Sequence, residues 1–239
     1  MAGRGAYLGT PASGYPLSKF DLTTPLGRLK TYLDYLWKDH AFLRVGFRNA
    51  HWIGEDMVRT NQPWPFQLKG WKEMGVRTVL NLRGGDYDTS FYALEKAACA
   101  ELGLTLVNLP MGSREVPSRE RVRAAKHAFE TIAYPAVMHC KSGADRTGIM
   151  GVFYRHFHLG EPIREAVAKE LGLRTLHVRH GKTGVLDYVF ERYLTEAEPQ
   201  GISFMDWVES PSYDPVRIKA DFQAGWWGTL LTEKLLRRE

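Results

Sequence analysis

Cys140 and Arg146 are separated by five residues, Lys141-Ser142-Gly143-Ala144-Asp145. A thiolate is a strong nucleophile, and a planar guanidinium can clasp two oxygens of a tetrahedral anion. The pair can therefore bind an oxyanion and attack its central atom. Ser142, Gly143 and Ala144 are small enough to let the backbone approach such an anion closely. Asp145 and Thr147, on either side of the arginine, add a carboxyl and a hydroxyl group.

These side chains need a strand before them and a helix after them. Residues 136–139, Ala-Val-Met-His, read as a short strand, and residues 148–159 as a helix that buries Ile149, Met150, Val152 and Phe153. A helix N-terminus presents unpaired N–H groups and a partial positive charge. A tight loop leading into it can turn further N–H groups inward as an anion nest. The same field favours thiolate over thiol: such surroundings lower a cysteine pKa from about 8.5 to roughly 3.5–7.5. The plainer alternative is a buried structural cysteine ahead of an ordinary helix start.

The full run resembles the active-site loop of the cysteine-dependent protein tyrosine phosphatases, His-Cys-x5-Arg-Ser/Thr, here His139, Cys140, Arg146 and Thr147. The interior Gly143 and the following Gly148 strengthen the match. Two further stretches, Arg59-Thr60-Asn61-Gln62-Pro63 and Gly75 through Arg83, resemble the entry region of atypical dual-specificity phosphatases, and the likeness spans residues 45–160. The resemblance implies hydrolysis of a phosphoric monoester through a cysteinyl-phosphate intermediate. Cys140 would be the nucleophile, and Arg146 with the backbone of Lys141, Ser142, Gly143 and Ala144 would bind phosphate. Thr147 would assist the leaving thiolate, and His139 would support the loop. No metal and no cofactor are expected. Arg83, Asp86 and Asp88 are further candidates for the rim.

The chain departs from the family in its source of a proton. Most members supply an Asp from a loop well upstream of the cysteine. The corresponding stretch here, residues 110–117, holds no Asp, and Glu115 is its one carboxylic acid. Asp145, inside the loop, is favoured as general acid, with Glu115 as the alternative. Asp145 could instead orient Arg146 as a charge partner.

The chain of 239 residues is 44% hydrophobic, enough for one sizeable core. A net charge of +5 suits an anionic substrate, nucleic acid or an anionic membrane surface without choosing among them. Its two cysteines, Cys99 and Cys140, exclude a disulfide framework. Cys99 reads as a small core residue, and a nucleophilic Cys140 must stay reduced. No apolar run approaches the ~18 residues of a membrane span, and no signal peptide is evident. These features lead to the expectation of a cytoplasmic protein.

Residues 45–49, 50–53 and 57–63 suggest two short strands and a turn, and strands predicted at 76–82, 104–109 and 136–139 alternate with helices at 66–74, 90–102 and 118–131. This implies an α/β fold: a central, mostly parallel sheet flanked by helices, dual-specificity phosphatase-like, with helical N- and C-terminal extensions. The expected division is an N-terminal arm and amphipathic helix over 1–43, a catalytic domain over 44–172, and a basic, aromatic extension over 173–239. In the first part Thr24 caps a helix with Pro25 at its first position, and Leu26, Leu29, Leu33 and Leu36 form a stripe expected to pack on the domain. A membrane-surface helix is the sharper alternative. Arg174, His177, Arg179, His180 and Lys182 form either a rim for an extended anionic substrate or a solvated loop. A further helix is expected from Val185 to Leu194.

A phosphorylated protein is the default substrate, with phosphoinositide, inositol, sugar or lipid phosphates as alternatives. Two other classes fit the loop less well: a catalytically weak phosphate-binding scaffold and a rhodanese-like sulfur-transfer enzyme. Nucleic acid is not expected as a partner. The aromatic C-terminal stretch reads as a wrap packed over the domain, with a membrane or partner patch made from both termini as the sharper alternative, and the sequence sets no oligomeric state.

Overall fold

The computed structural model describes residues 19–85, 88–178 and 182–224. Five strands form one sheet: β1 (His51–Ile53), β2 (Met57–Asn61), β3 (Thr78–Asn81), β4 (Thr105–Asn108) and β5 (Ala136–Cys140). Their order is β1-β2-β5-β3-β4. β1 is antiparallel to β2, and every other pairing is parallel. The central β5 lies between β2 and β3 and is buried at all five positions. A parallel strand covered on both faces needs apolar residues on both, which is why Ala136-Val137-Met138 does not alternate with polar ones.

Successive side chains point to opposite faces of the sheet. Met57, Leu80, Ala136, Met138 and Cys140 enter the larger core. That core is formed with α5 (Arg119–Thr131), α6 (Asp145–Phe157), α7 (Ile163–Glu170), α8 (Val185–Glu196) and α9 (Phe204–Glu209). Val58, Val79 and Val137 face the other way, against α3 (Pro65–Glu73) and α4 (Ser90–Leu102). Cys99 on α4 lies in this second core, where burial pushes its thiol pKa up. The fold is thus the expected central sheet between two helical layers. Among the described residues no helix is long and apolar enough to cross a membrane.

Three local expectations need correction. The helix after the cysteine loop starts at Asp145 rather than at Gly148, so Asp145 and Arg146 sit in its first turn. Residues 45 and 46, read within the strand-and-turn stretch, belong to the short helix α2 (Leu43–Gly46). In α1 (Pro25–Lys38), Thr24 accepts the N–H of Gly27 at 3.1 Å as the cap signal implied, but of the leucine stripe only Leu36 packs inward, while Leu26, Leu29 and Leu33 are exposed. The opposite side, through Thr31 and Tyr35, meets the domain, and Tyr35 lies edge-on to Trp64 at 4.7 Å between ring centroids. The expectation assumed that the more apolar face of an amphipathic helix faces the core; here Tyr35 and Trp64, with Ala41 and Leu94, fix it the other way round.

Past the loop the chain packs as a wrap. Phe153 on α6 touches Phe157, Phe190 and Phe204 in one aromatic cluster, and Trp207 and Tyr213 extend it. Phe153 is fully buried. Phe153→Ala is expected to cost about 3–5 kcal/mol, read as a lower urea midpoint, because the cavity is walled by rigid rings.

Candidate active site

The cysteine loop is held by its carbonyl groups. Arg59, in the middle of β2 and fully buried, donates from Nη2 to the carbonyls of Gly143 at 3.0 Å and Ala144 at 2.8 Å, and to Thr147 Oγ1 at 3.2 Å. Its Nη1 donates to the carboxylate of Glu170 at 2.7 Å and to the Glu170 carbonyl at 2.8 Å. Asn49 Nδ2 donates to the carbonyls of Ser142 at 3.2 Å and Gly143 at 2.9 Å, and also to that of Thr175. A trans peptide points its N–H opposite to its C=O. Drawing three successive carbonyls toward Arg59 and Asn49 therefore aims the N–H groups of Gly143, Ala144 and Asp145 the other way, as an anion nest requires.

Two glycines set the position of Glu170. A Cβ at Gly148 would meet Leu171 Cδ2 at 2.6 Å, and one at Gly151 would meet Glu170 Oε2 at 2.6 Å. Their absence lets α7 lie close against α6. Gly143 has φ +74°, and a Cβ there would lie 2.7 Å from the Asn61 nitrogen, so only glycine fits the turn.

Within this frame Cys140 ends β5, 2% exposed, and its Sγ accepts the Gly143 N–H at 3.2 Å. Arg146 is half-buried, and among the described residues its side chain makes no hydrogen bond or ion pair, which leaves its fork available to an anion. Ser142 is exposed and its Oγ accepts the Ala144 N–H at 3.4 Å. The Thr147 hydroxyl accepts from Arg59 and donates to the Ala144 carbonyl at 3.4 Å. His139 is fully buried with Nε2 2.6 Å from Glu95 Oε1 on α4.

A polar chain runs outward from that histidine. Gln62 Nε2 donates to Glu95 at 3.1 Å, and Arg83 Nη1 donates to Gln62 Oε1 at 3.0 Å. Arg83 then grips both oxygens of Asp39 at 2.9 and 2.7 Å and lies over the Phe91 ring at 3.4 Å. Arg44 pairs with the same carboxylate, and Lys141 Nζ lies 3.4 Å from it. Burial would raise the pKa of Asp39, but Arg83, Arg44 and Lys141 outweigh it and hold the carboxyl below its ordinary value. Arg83 is therefore spent on Asp39, a residue of the N-terminal segment.

A second chain runs from Asp145. His177 is fully buried; its Nδ1 lies 2.8 Å from Asp145 Oδ1 and its Nε2 2.7 Å from Asp187 Oδ2 on α8. Burial alone would lower its pKa, but the two carboxylates outweigh burial and raise it to about 9. The imidazole is thus a cation at neutral pH, donating from both nitrogens. Asp145, 26% exposed, is the open end of the chain. Glu115 is exposed and faces Arg121 at 3.5 Å. Asp88 is exposed on the rim of a cavity of about 270 Å³ that Asp39 and Phe91 also line. Asp86, Arg179 and His180 lie outside the described residues.

The structure thus brings Cys140, the small loop residues, Arg146, Asp145 and Thr147 together. It adds Asn49, Glu170, Glu95, Asp39 and Asp187, which the sequence reading did not assign, Arg59, which it read only as part of the entry-region likeness, and His177, which it placed in a rim or a solvated loop. Arg59 carried a signal, a charged residue directly after Met57-Val58 in a stretch read as strand. The others have partners far along the chain, as Asp145 and His177, 32 positions apart, and Arg59 and Glu170, 111 apart, show. Among the described residues no cluster of His, Cys, Asp and Glu could hold a metal ion.

This loop, on this sheet, is that of a cysteine phosphatase of the dual-specificity type. Residues 57–183, just over half the chain, match the family described as the DSP-PTPase phosphatase fused to NAD+ kinase. The chain belongs to that family and is a cysteine-dependent phosphatase. No curated protein sequence matches it. Similar solved structures include TpbA of P. aeruginosa, in complex with pTyr, at 17% identity and TM-score 0.48 over 66% of this chain and 88% of that one. Tk-PTP in its active form is 20% identical, with TM-score 0.48 over 60% and 97%. The core catalytic domain of the PP-IP phosphatase SIW14 of S. cerevisiae, in complex with citrate, is 16% identical, with TM-score 0.47 over 58% and 83%.

Two outcomes are expected. Gly143→Ala should abolish phosphate release and cost about 1–3 kcal/mol in thermal unfolding, since it forces a left-handed φ and a backbone clash on a side chain. The His177 pKa is raised on folding, so its contribution is complete below about 6.5 and is lost as pH rises through about 9. Unfolding free energy should therefore fall from pH 6.5 to 9, and His177→Gln should flatten that slope in urea titrations.

Proposed function

We propose that the chain hydrolyses phosphoric monoesters through a cysteinyl-phosphate on Cys140, with a phosphorylated protein, tyrosine or dual specificity, as its default substrate. The observation that carries this is the nest beside Cys140 Sγ, open to the unpaired fork of Arg146. Substrate phosphate lies on the N–H groups of the loop, and Arg146 holds two of its oxygens. The Cys140 thiolate forms the S–P bond as the P–O bond to the leaving group breaks. The leaving oxygen takes a proton, and then water attacks phosphorus, gives up a proton and expels the thiolate. Thr147 assists that thiolate, Lys141 adds positive charge at the rim, and His139 with Glu95 keeps the strand end in register. No metal is needed for these steps.

The leaving-group proton comes through Asp145: its carboxylate takes the Nδ1 proton of His177 and passes it to the leaving oxygen, leaving His177 neutral. The pair shares one proton, and the high His177 pKa keeps it there at neutral pH. Water restores it in the second step. Catalysis is assigned to residues 44–172, with 1–43 contributing Asp39 and 173–239 contributing His177. A reducing compartment, the cytoplasm, suits a thiol nucleophile.

The charge distribution favours singly phosphorylated groups over polyphosphates. Arg83 is consumed by Asp39, and His177 turns inward rather than toward solvent. Phosphoinositide, inositol and lipid phosphates are the alternative, suggested by Lys141, which is 44% exposed, and by the exposed Arg174.

Metal-free phosphate release should be measured on a phosphotyrosine peptide, a phosphoserine peptide, phosphoinositides and inositol phosphates. Cys140→Ser is expected to remove all of it, and release that survives would overturn the mechanism. In wild type the rate should fall above about pH 9, following the proton of His177. Asp145→Asn and His177→Gln should lower the neutral rate by on the order of 10²-fold and remove that limb. If Glu115→Gln does so instead, Glu115 is the acid.

A further inference from the structure

Helix α1 carries its apolar side outward. Leu26 is 60% exposed, Leu29 56%, Leu33 45% and Trp37 65%, all on the face opposite the buried Thr31 and Tyr35. The strip continues past the helix: Phe42 packs on Trp37 at 5.9 Å between ring centroids, and Leu43, Val45 and Phe47 are exposed beyond it. Contiguous exposed apolar surface of this kind marks a docking face.

The charges around the strip indicate what docks there. Lys30 lies beside the leucine face, whereas Arg28 and Lys38 fall on the Thr31–Tyr35 side of the helix; all three are exposed, as are Lys19 and Arg48. Over residues 19–48 the one fully exposed carboxylate is Asp21, which is occupied by Thr23 and Thr24. Asp34 pairs with Lys38, and Asp39 is buried against Arg83 and Arg44. The segment is therefore apolar on its outer face and carries a net positive charge, with more exposed lysine and arginine than exposed carboxylate. A second copy across a two-fold axis would set these cations against their own kind. An anionic bilayer offers both complements, an apolar interior for Leu and Trp and phosphate headgroups for Lys and Arg.

We propose that α1 and the segment through Phe47 form a peripheral docking face for an anionic phospholipid bilayer. Leu26, Leu29, Leu33 and Trp37 enter the interfacial region, and Lys30 snorkels to the headgroups. The chain leaves α1 at Asp39, which holds Arg83 and Lys141, so the docked helix is joined to the cysteine loop through one carboxylate.

The test is co-sedimentation of the full chain with vesicles of phosphatidylcholine plus phosphatidylserine, and with phosphatidylcholine alone. The wild type should pellet with the anionic vesicles at low salt and less at high salt. Leu29→Asp combined with Leu33→Asp should weaken binding at least about tenfold, because it removes the apolar contact. Its melting temperature and phosphate release should stay unchanged. Three results would overturn the proposal: no pelleting at low salt, as when the chain's own residues 225–239 cover the face; a double variant that pellets like wild type; or a dimer that the double variant dissolves while vesicles bind neither protein.

Discussion

One buried guanidinium sets the shape of the phosphate loop. Arg59 is enclosed by the sheet, α6 and α7, and five acceptors surround it: the Glu170 carboxylate and carbonyl, the carbonyls of Gly143 and Ala144, and the Thr147 hydroxyl. A loop of this kind has an intrinsic difficulty, since N–H groups gathered toward one point repel one another in the absence of an anion. Holding the carbonyls on the other side opposes that repulsion. Glu170 balances the charge of Arg59, and removing one partner of such a buried pair costs about 3–5 kcal/mol. The close approach of α7 to Gly148 and Gly151 is the packing condition that makes the pair reachable.

The segments outside the central sheet take part in the same arrangement. Asp39, just after α1, draws Arg83 and Arg44 together and stands beside Lys141. His177, between α7 and α8, ties the first residue of α6 to Asp187. Each flank thus reaches the loop through an ion pair rather than through apolar packing alone. The two pairs differ in consequence. The Asp39 cluster draws Arg83 and Arg44 onto one carboxylate, whereas the His177 chain ends at Asp145, beside the cysteine loop.

How legible this was depends on distance along the chain. The cysteine, arginine, small residues and following threonine lie within eight positions, 140–147, so the loop was legible as one unit, through its neighbours His139 and Gly148 and the strand and helix around it rather than through spacing alone. The alternation of apolar strands and helices announced the parallel sheet. Partners that come from elsewhere were not legible: Arg59 and Glu170 are 111 positions apart, and Arg83 and Asp39 are 44 apart. His177 looked like one more cation in a basic stretch, because composition does not say which way a side chain turns. The leucine stripe of α1 was legible as a stripe but not as an outward one, since periodicity gives a helix its faces without saying which meets the domain.

The account converges on one covalent event at Cys140, and a rapid acid quench captures it most directly. The full chain would be mixed with a phosphotyrosine peptide, stopped within the first turnover, digested and read by mass spectrometry. The account predicts a phosphoryl group on the peptide that carries Cys140, absent in Cys140→Ser and accumulating when the second step is slowed. Turnover with no phosphoryl adduct at any time point, or an adduct on another residue, would contradict it.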